Sequence, residues 1–451
     1  MNKLKAGYSR LDITPATGIN ISGYFLERVA DGVLDSLEVC AAAIATEEKT
    51  LVFLAVDNLG IRMNLVADFK AKICRKTGLA PEAIIISATH SHTAAQLSDE
   101  AGVKSNAAVS AYVEFVGDKL ADAALFAVED LKPAKMGYKI GTAPNVAFVR
   151  RFRMKDGSVR TNPGVGNPDI KAPIGEVDER VNVIRFDREN ADSIVIMNFG
   201  NHPDTVGGCK LSADWPGFAR RTLERCLPNV KSLLINGAQG DVNHVNVWAK
   251  DGDNNDLARD FDDVARGYGH ARHIGNAVAG AVMQIFDKVN YTDVSDIKWI
   301  EKKVLIPANV PAAEELALAH KYKELHEAGR DAEIPFEAME LTTAVAEALR
   351  MVDLENGPEV FEMKMTAVAI GDVAFITIPG EPFTEIGREL KKAEGWSLVC
   401  PCALSNGYEG YFPTREAYEE GGYEARSSYF KAGVAELFIK EGLELLKQLR
   451  G

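Results

Sequence analysis

Short apolar runs alternate along the chain with longer stretches in which apolar residues recur every three or four positions. Residues 37–46 and 50–57 read as strands split by the turn Glu47-Glu48-Lys49. Residues 64–76 carry helical spacing and stop before Gly78. Residues 83–88 are a continuous apolar run of the kind buried on both faces. A long helix is expected over 106–131, strands at 181–186, 193–199 and 232–235, and helices at 216–226 and over much of 257–289. Residues 361–370 and 373–379 flank Gly371-Asp372 as a hairpin, and 382–392 and 429–449 read as helices. The alternation predicts an α/β (α+β) fold, a mixed β-sheet flanked by helices. The 451 residues read as one catalytic domain with a helical, charge-rich insertion around 312–356. The Gly-, Pro- and Asn-rich segment 156–172 reads as a long loop and a candidate lid.

Composition narrows the function. Hydrophobic residues make up 46% and charged residues 26%, as in an ordinary globular chain. A net charge of −14 argues against nucleic acid, which needs a basic face. No segment has the roughly 20 apolar residues of a membrane helix, so no stable membrane association is expected. The basic N-terminus lacks an apolar leader core, and six cysteines are too few for a disulfide framework. These features predict a cytoplasmic protein acting on a small-molecule substrate, with a homo-oligomer as the one assembly the reading allows.

Eight histidines are present, and four of them (His270, His273, His320 and His326) fall in expected helices as ordinary surface or core residues. The others follow strands. His90 and His92, in Thr89-His90-Ser91-His92, are two apart, and in extended backbone both would face one pocket. His202, in Asn201-His202-Pro203, follows a second strand. Asn236-Gly237-Ala238-Gln239-Gly240-Asp241-Val242-Asn243-His244 follows a third, its glycines suggesting backbone pressed against a ligand. Glu381 stands between Gly380 and Pro382 after a fourth, and Ser405 to Tyr411 form a tyrosine-containing turn followed by Tyr418, Tyr423 and Glu424. Open α/β sheets collect ligands at such strand ends.

These clusters, in this order, resemble the neutral (non-lysosomal) ceramidases, zinc-dependent amide hydrolases, as does the opening Arg10-Leu11-Asp12-Ile13-Thr14-Pro15 with Gly23-Tyr24. The resemblance runs from about Gly7 to the C-terminus. It implies Zn2+ held by His90, His202, Glu381 and Tyr411, with His92 and Tyr423 as catalytic residues. It also implies an active-site arginine at Arg150 or Arg151; Arg150 is taken as catalytic, and Arg151, Asp241 and Tyr408 as substrate-binding. Two departures stand out. The family's Gly-Asp-Val-Ser reads Gly240-Asp241-Val242-Asn243, so Asn243 replaces the active-site serine, and the chain ends at Gly451 without the immunoglobulin-like domain of the well-studied members.

Two histidines, a glutamate and an open position are the ligands of a hydrolytic zinc site. The expected reaction is hydrolysis of an amide, or a related ester or lactone, in a soluble, polar substrate. Asn243 would orient it, since an amide offers hydrogen bonds but no nucleophile. The alternatives are a ceramidase proper acting on N-acyl sphingoid lipids, a metallophosphoesterase, a barrel amidohydrolase, or a catalytically silent ligand-binding homologue. Gly200-Asn201-His202 matches part of the phosphoesterase signature, but the Asp-x-His it needs near the N-terminus is absent.

Overall fold

A computed structural model describes residues 4–100, 103–249 and 267–451. The principal strands of the first sheet are β1 (Lys5–Asp12), β2 (Glu38–Ala45), β3 (Thr50–Val56), β4 (Ile84–Ala88), β5 (Lys132–Thr142), β6 (Arg180–Arg188), β7 (Ser193–Phe199) and β8 (Val230–Asn236). They run in the order β8-β7-β6-β5-β1-β2-β3-β4. The pairs β3/β4 and β7/β8 are parallel and the remaining neighbours antiparallel, so the sheet is mixed as expected. A second sheet holds β9 (Ile297–Pro307), β10 (Val360–Ile370), β11 (Val373–Ile378) and β12 (Leu398–Ala403) in that order, with β11/β12 parallel.

The strands are apolar on both faces because both faces are covered. From β2, Val39, Ala41 and Ala43 pack under helices α1 (Met63–Thr77) and α2 (Ala107–Glu129). The alternate residues Cys40, Ala42 and Ile44 face the second sheet at Val368, Phe375 and Cys402. Helices α3 (Asp214–Cys226) and α4 (Tyr268–Ile285) cover the β6-β7-β8 half. The outer face of the second sheet is closed by helices that include Thr384–Leu390 and Val434–Arg450. The result is four layers, helix, sheet, sheet and helix, with the period-2 alternation of each strand splitting its residues between two cores.

Caps explain several boundaries. Asn106 accepts a hydrogen bond from Val109 N (3.1 Å) to start α2. Gly78 ends α1 in the left-handed region at φ 73°. The C-terminal helix starts at Val434 rather than 429, after Gly433 at φ 104°. The part of the expected 257–289 helix before residue 267 lies outside the described residues. The segment 156–172 is not a free loop: Arg151–Met154, Val159–Thr161 and Ile170–Pro173 form a small sheet.

The segment 312–356 is helical. Helices α5 (Ala313–Glu327) and α6 (Ala338–Glu355) connect β9 to β10, strands that pair antiparallel from Ile297↔Ile370 to Pro307↔Val360. Among the described residues no helix is long and apolar enough to cross a membrane.

Candidate metal centre and active site

Three strands with parallel partners end at one crevice. His90 follows β4, His202 follows β7, and Glu381 follows β11. The expected extended His-x-His is not how the two histidines converge. His90 sits at φ 77°, a conformation that costs a non-glycine residue energy and is kept where surroundings enforce it. The enforcement is visible: His90 N donates to Asn58 O (2.8 Å) and His92 N to Pro203 O (3.1 Å). The turn brings the His90 and His92 rings to 4.9 Å, centroid to centroid.

Backbone carbonyls set the tautomers. His90 Nδ1 donates to Leu59 O (2.6 Å), His202 Nδ1 to Gln239 O (3.2 Å) and His92 Nδ1 to Gly23 O (3.0 Å). With the proton on Nδ1, each ring presents a bare Nε2. His90 Nε2 lies 3.1 Å from His202 Nε2, and Glu381 Oε2 lies 3.2 Å from the first and 3.4 Å from the second. Two imidazole lone pairs and a carboxylate oxygen, all buried, repel one another unless a cation sits between them. Ligands bonded at about 2.0–2.1 Å to one tetrahedral ion stand roughly 3.3–3.4 Å apart, so the three atoms fit a metal. The three histidines also form a group, with ligand nitrogens within 4.8 Å of one another. The Glu381 separations are those of ligands sharing one ion, and the spacing of the histidine group is wider. His92 Nε2 and Glu381 Oε2 are buried with no hydrogen-bond partner. Burial pushes His92 and His202 well below the ordinary imidazole range. Burial opposes ionisation of Glu381, but the nearby histidines and Arg150 hold its carboxyl below the usual range.

Tyr411 is in register with Glu381 across the parallel pair Glu381–Pro382 and Tyr411–Phe412. Tyr423 packs edge-on against it at 5.5 Å, and burial raises both phenols. Arg150 and Arg151 diverge. Arg150 Nε donates to Glu424 Oε1 (2.7 Å), its Nη2 to Gly240 O (2.7 Å), and its guanidinium lies 5.4 Å from the Tyr411 ring. Arg151 Nη2 instead donates to Glu420 Oε2 (3.3 Å) and Gly421 O (2.9 Å), its Nε lies 3.9 Å from Glu424 Oε2, and it is not among the residues that line the cavity. The Asp241 carboxylate accepts from Thr384 N (2.7 Å) and Oγ1 (3.0 Å), which caps a helix rather than facing substrate. Asn243 Nδ2 donates to Asn162 Oδ1 (2.9 Å) and its Oδ1 accepts from Val245 N (2.9 Å). It is Asn162 that lines the cavity. Tyr408 packs edge-on to His90 at 5.8 Å and lines a second arm. A Cβ on Gly240 would fall 2.5 Å from Glu381 O, so that glycine admits backbone, not ligand.

Several residues to which the sequence assigned no role reach the centre, Arg28 being unmarked by any motif. Gly23, at φ 111°, sits against His92, and Tyr24 Oη donates to Asp204 Oδ1 (2.6 Å). Buried Arg28 donates to Gly208 O (2.9 Å) and His92 O (2.6 Å) and lies 4.0 Å from the Tyr24 ring. Fully buried Glu424 holds Arg150 and accepts from Thr161 Oγ1 (2.8 Å).

The centre opens into two arms that share Phe25, Tyr411 and Tyr423. One, of about 380 Å³, is lined by His92, His202, Arg150, Asn162 and Asp204, with Leu26, Met339, Leu341 and Val345 as an apolar wall. The other, of about 250 Å³, is lined by Glu381, Tyr408, Arg62, Glu100 and Asp353 among others. α6 walls both arms, and from the segment 156–172 Asn162 lines the larger one.

The mixed sheet backed by a second sheet is a fold shared with solved ceramidase structures. The structure matches neutral ceramidase from Pseudomonas aeruginosa with a TM-score of 0.75 at 17% identity, covering 100% of this chain and 75% of that one. It matches a ceramidase complexed with C2 with a TM-score of 0.71 at 16% identity, covering 100% and 76%. No family model matches the sequence, and no curated protein matches it.

Proposed function

We propose that the protein is a zinc-dependent hydrolase that cleaves a carbon–nitrogen amide bond, or a related ester or lactone. The observation that carries this reading is the convergence of His90 Nε2, His202 Nε2 and Glu381 Oε2 within 3.4 Å, each histidine held in one tautomer. The residues fit Zn2+ with His90, His202, Glu381 and Tyr411 as ligands. When bound, zinc supplies water activation near neutral pH and polarises a carbonyl.

This chain's residues do the rest. His92 presents Nε2 to the cavity with Nδ1 committed to Gly23 O, so it takes a proton from the attacking water and passes it to the leaving nitrogen. Arg150, fixed by Glu424 and Gly240 O, faces the carbonyl oxygen as charge develops there. Tyr423 orients the same oxygen. Asn162, held by Asn243, contacts the acyl group, which lies along Leu26, Met339, Leu341 and Val345. The substrate is soluble and polar in this reading. That apolar wall, with two ceramidases as structural neighbours, favours a second reading, cleavage of an N-acyl sphingoid lipid. A cytoplasmic setting belongs to the proposal too, in keeping with six unpaired cysteines, of which Cys40, Cys400 and Cys402 are buried.

The test is metal analysis with turnover of amides, lactones and long-chain N-acyl lipids before and after chelation. One zinc per chain and chelator-sensitive hydrolysis of short amides or lactones are expected. A large preference for long acyl chains selects the ceramidase reading. Zinc without turnover of any compound selects the silent homologue, and two metals per chain overturns the single-ion centre.

A further inference from the structure

Resting on the amide-hydrolase reading, we propose that Arg28 is the positioning residue of His92: its guanidinium clamps together the two segments that hold the His92 ring. Arg28 Nη2 donates both to Ser22 O and to His92 O (2.6 Å), and Nη1 donates to Gly208 O (2.9 Å). Ser22 immediately precedes Gly23, whose carbonyl accepts from His92 Nδ1 (3.0 Å). The segment that supplies the ring's acceptor and the backbone that carries the ring therefore hang on the same nitrogen. His92 N donates to Pro203 O (3.1 Å), so His92 is tethered at its amide, its carbonyl and its ring. Ile21 N donates to Arg28 O (2.8 Å) and closes the turn 21–28. From that turn Gly23, Tyr24 and Leu26 line the larger arm together with His92.

Cohesion alone does not account for an arginine here. Arg28 is 6% exposed, and among the described residues no carboxylate lies within ion-pair distance of it. Its Nε is buried with no hydrogen-bond partner, and its charge faces three carbonyls and the Tyr24 ring, 4.0 Å away. Burying a cation without a carboxylate is costly, and an apolar side chain would fill the space without that penalty. An apolar side chain cannot hold two carbonyls at a fixed separation. The planar guanidinium does so, whereas a lysine ammonium carries the charge without the fork. Arg28 is not among the residues lining either arm, so it acts through His92 and not on substrate. Proton transfer needs hydrogen-bond reach, and a displacement of about 1 Å costs about 10²-fold in rate.

The experiment compares zinc-loaded full-length wild type, Arg28→Lys and Arg28→Ala, with folding checked by circular dichroism and metal by elemental analysis. Nitrogen NMR of histidine-labelled protein reads the ring directly, the His92 signals being identified by their loss in His92→Gln. Wild type shows His92 protonated on Nδ1. In Arg28→Lys the Nε2-protonated form, the commoner one in free imidazole side chains, appears beside it. A panel of short amides gives the kinetic readout. We expect kcat to fall about tenfold in Arg28→Lys and about 10²-fold in Arg28→Ala, with zinc content unchanged and KM within about twofold of wild type. A His92 tautomer unchanged in the variants overturns the proposal, whatever happens to turnover, and so does a loss carried by KM alone. Should Arg28→Ala not fold, Arg28→Lys decides by itself. If the tautomer changes while wild type cleaves no amide, the hydrolase reading fails and the clamp stands. If wild type cleaves amides and Arg28→Lys matches it in both readouts, the clamp fails alone.

Discussion

His90 and His92 are two residues apart, yet their surroundings give them different work. His90 Nε2 faces His202 Nε2 and Glu381 Oε2 at 3.1 and 3.2 Å, whereas His92 Nε2 has no hydrogen-bond partner. His202→Ala should remove most bound zinc, because it breaks the ligand triangle. His92→Ala should retain the metal and lose activity, by about 10²–10⁴-fold for a proton-transfer group. Equal zinc loss in both variants, read by elemental analysis, would reverse the division of roles. Asn243 is more surprising. Both ends of its amide are spent on Asn162 and Val245 N, so Asn243→Ala should cost about 1–2 kcal/mol of stability and should affect turnover only as far as Asn162→Ala does. Turnover lost in Asn243→Ala but kept in Asn162→Ala would put Asn243 on the substrate. At this scale the roles of His90, His202 and Glu381 were implied only by the resemblance, but their convergence was legible, because each follows a strand in a short polar cluster. The carbonyls of Leu59, Gln239 and Gly23 that orient the rings were not, because any residue supplies a carbonyl and only the fold brings it near.

Among elements, the apolar strands were readable and the mixed ones were not. β9 carries Glu301-Lys302-Lys303 mid-strand; it is an edge strand whose Lys302 pairs with Glu441 of the C-terminal helix. β12 contains Pro401, tolerable because that strand too is an edge. β5 hides behind Pro133, Gly137 and Gly141; a Cβ on Gly141 would meet Ala281 O at 2.7 Å, so its glycine reports close packing by α4. The N-terminal segment around Gly23 also had no periodic signal, though it props His92. Gly23→Ala puts a Cβ 2.8 Å from His92 Nδ1 on a φ that alanine resists. The variant should keep zinc and lose activity by an order of magnitude or more. Unchanged turnover at normal zinc content would show that His92 does not depend on this contact.

At the scale of the whole molecule, ion pairs tie the layers. Asp178, just before β6, meets Arg180 (2.7 Å) and Lys391 (2.9 Å), the latter following the Thr384–Leu390 helix. Burial opposes ionisation of Asp178, but hydrogen bonds from Arg180 and the charge of Lys391 outweigh it and lower its pKa from 3.8 to about 2. A carboxyl depressed on folding adds stability above its unfolded pKa and loses it as pH falls towards the folded value. That contribution, about 2 kcal/mol at neutral pH, should therefore disappear between pH 4 and 2. Asp178→Asn should lower the denaturation midpoint at pH 7 and flatten the acid limb of the stability profile. An unchanged acid limb would remove Asp178 from the account. Charge and composition spoke correctly for an α/β globular chain but could not show that two sheets stack, since stacking depends on which alternate residues meet.

The insertion has an evolutionary consequence. Its ends leave and rejoin the fold at Pro307 and Val360, which are register partners and so lie about 5 Å apart. A segment anchored at adjacent points can be lengthened, shortened or exchanged while both strands keep their pairing. The candidate metal centre stands on other strand ends, whereas the segment between Pro307 and Val360 supplies walls to both arms. Replacing 308–359 by a two-residue turn should give a folded, zinc-binding protein with weakened substrate discrimination, measured by circular dichroism, metal content and the ratio of kcat/KM values across the amide panel.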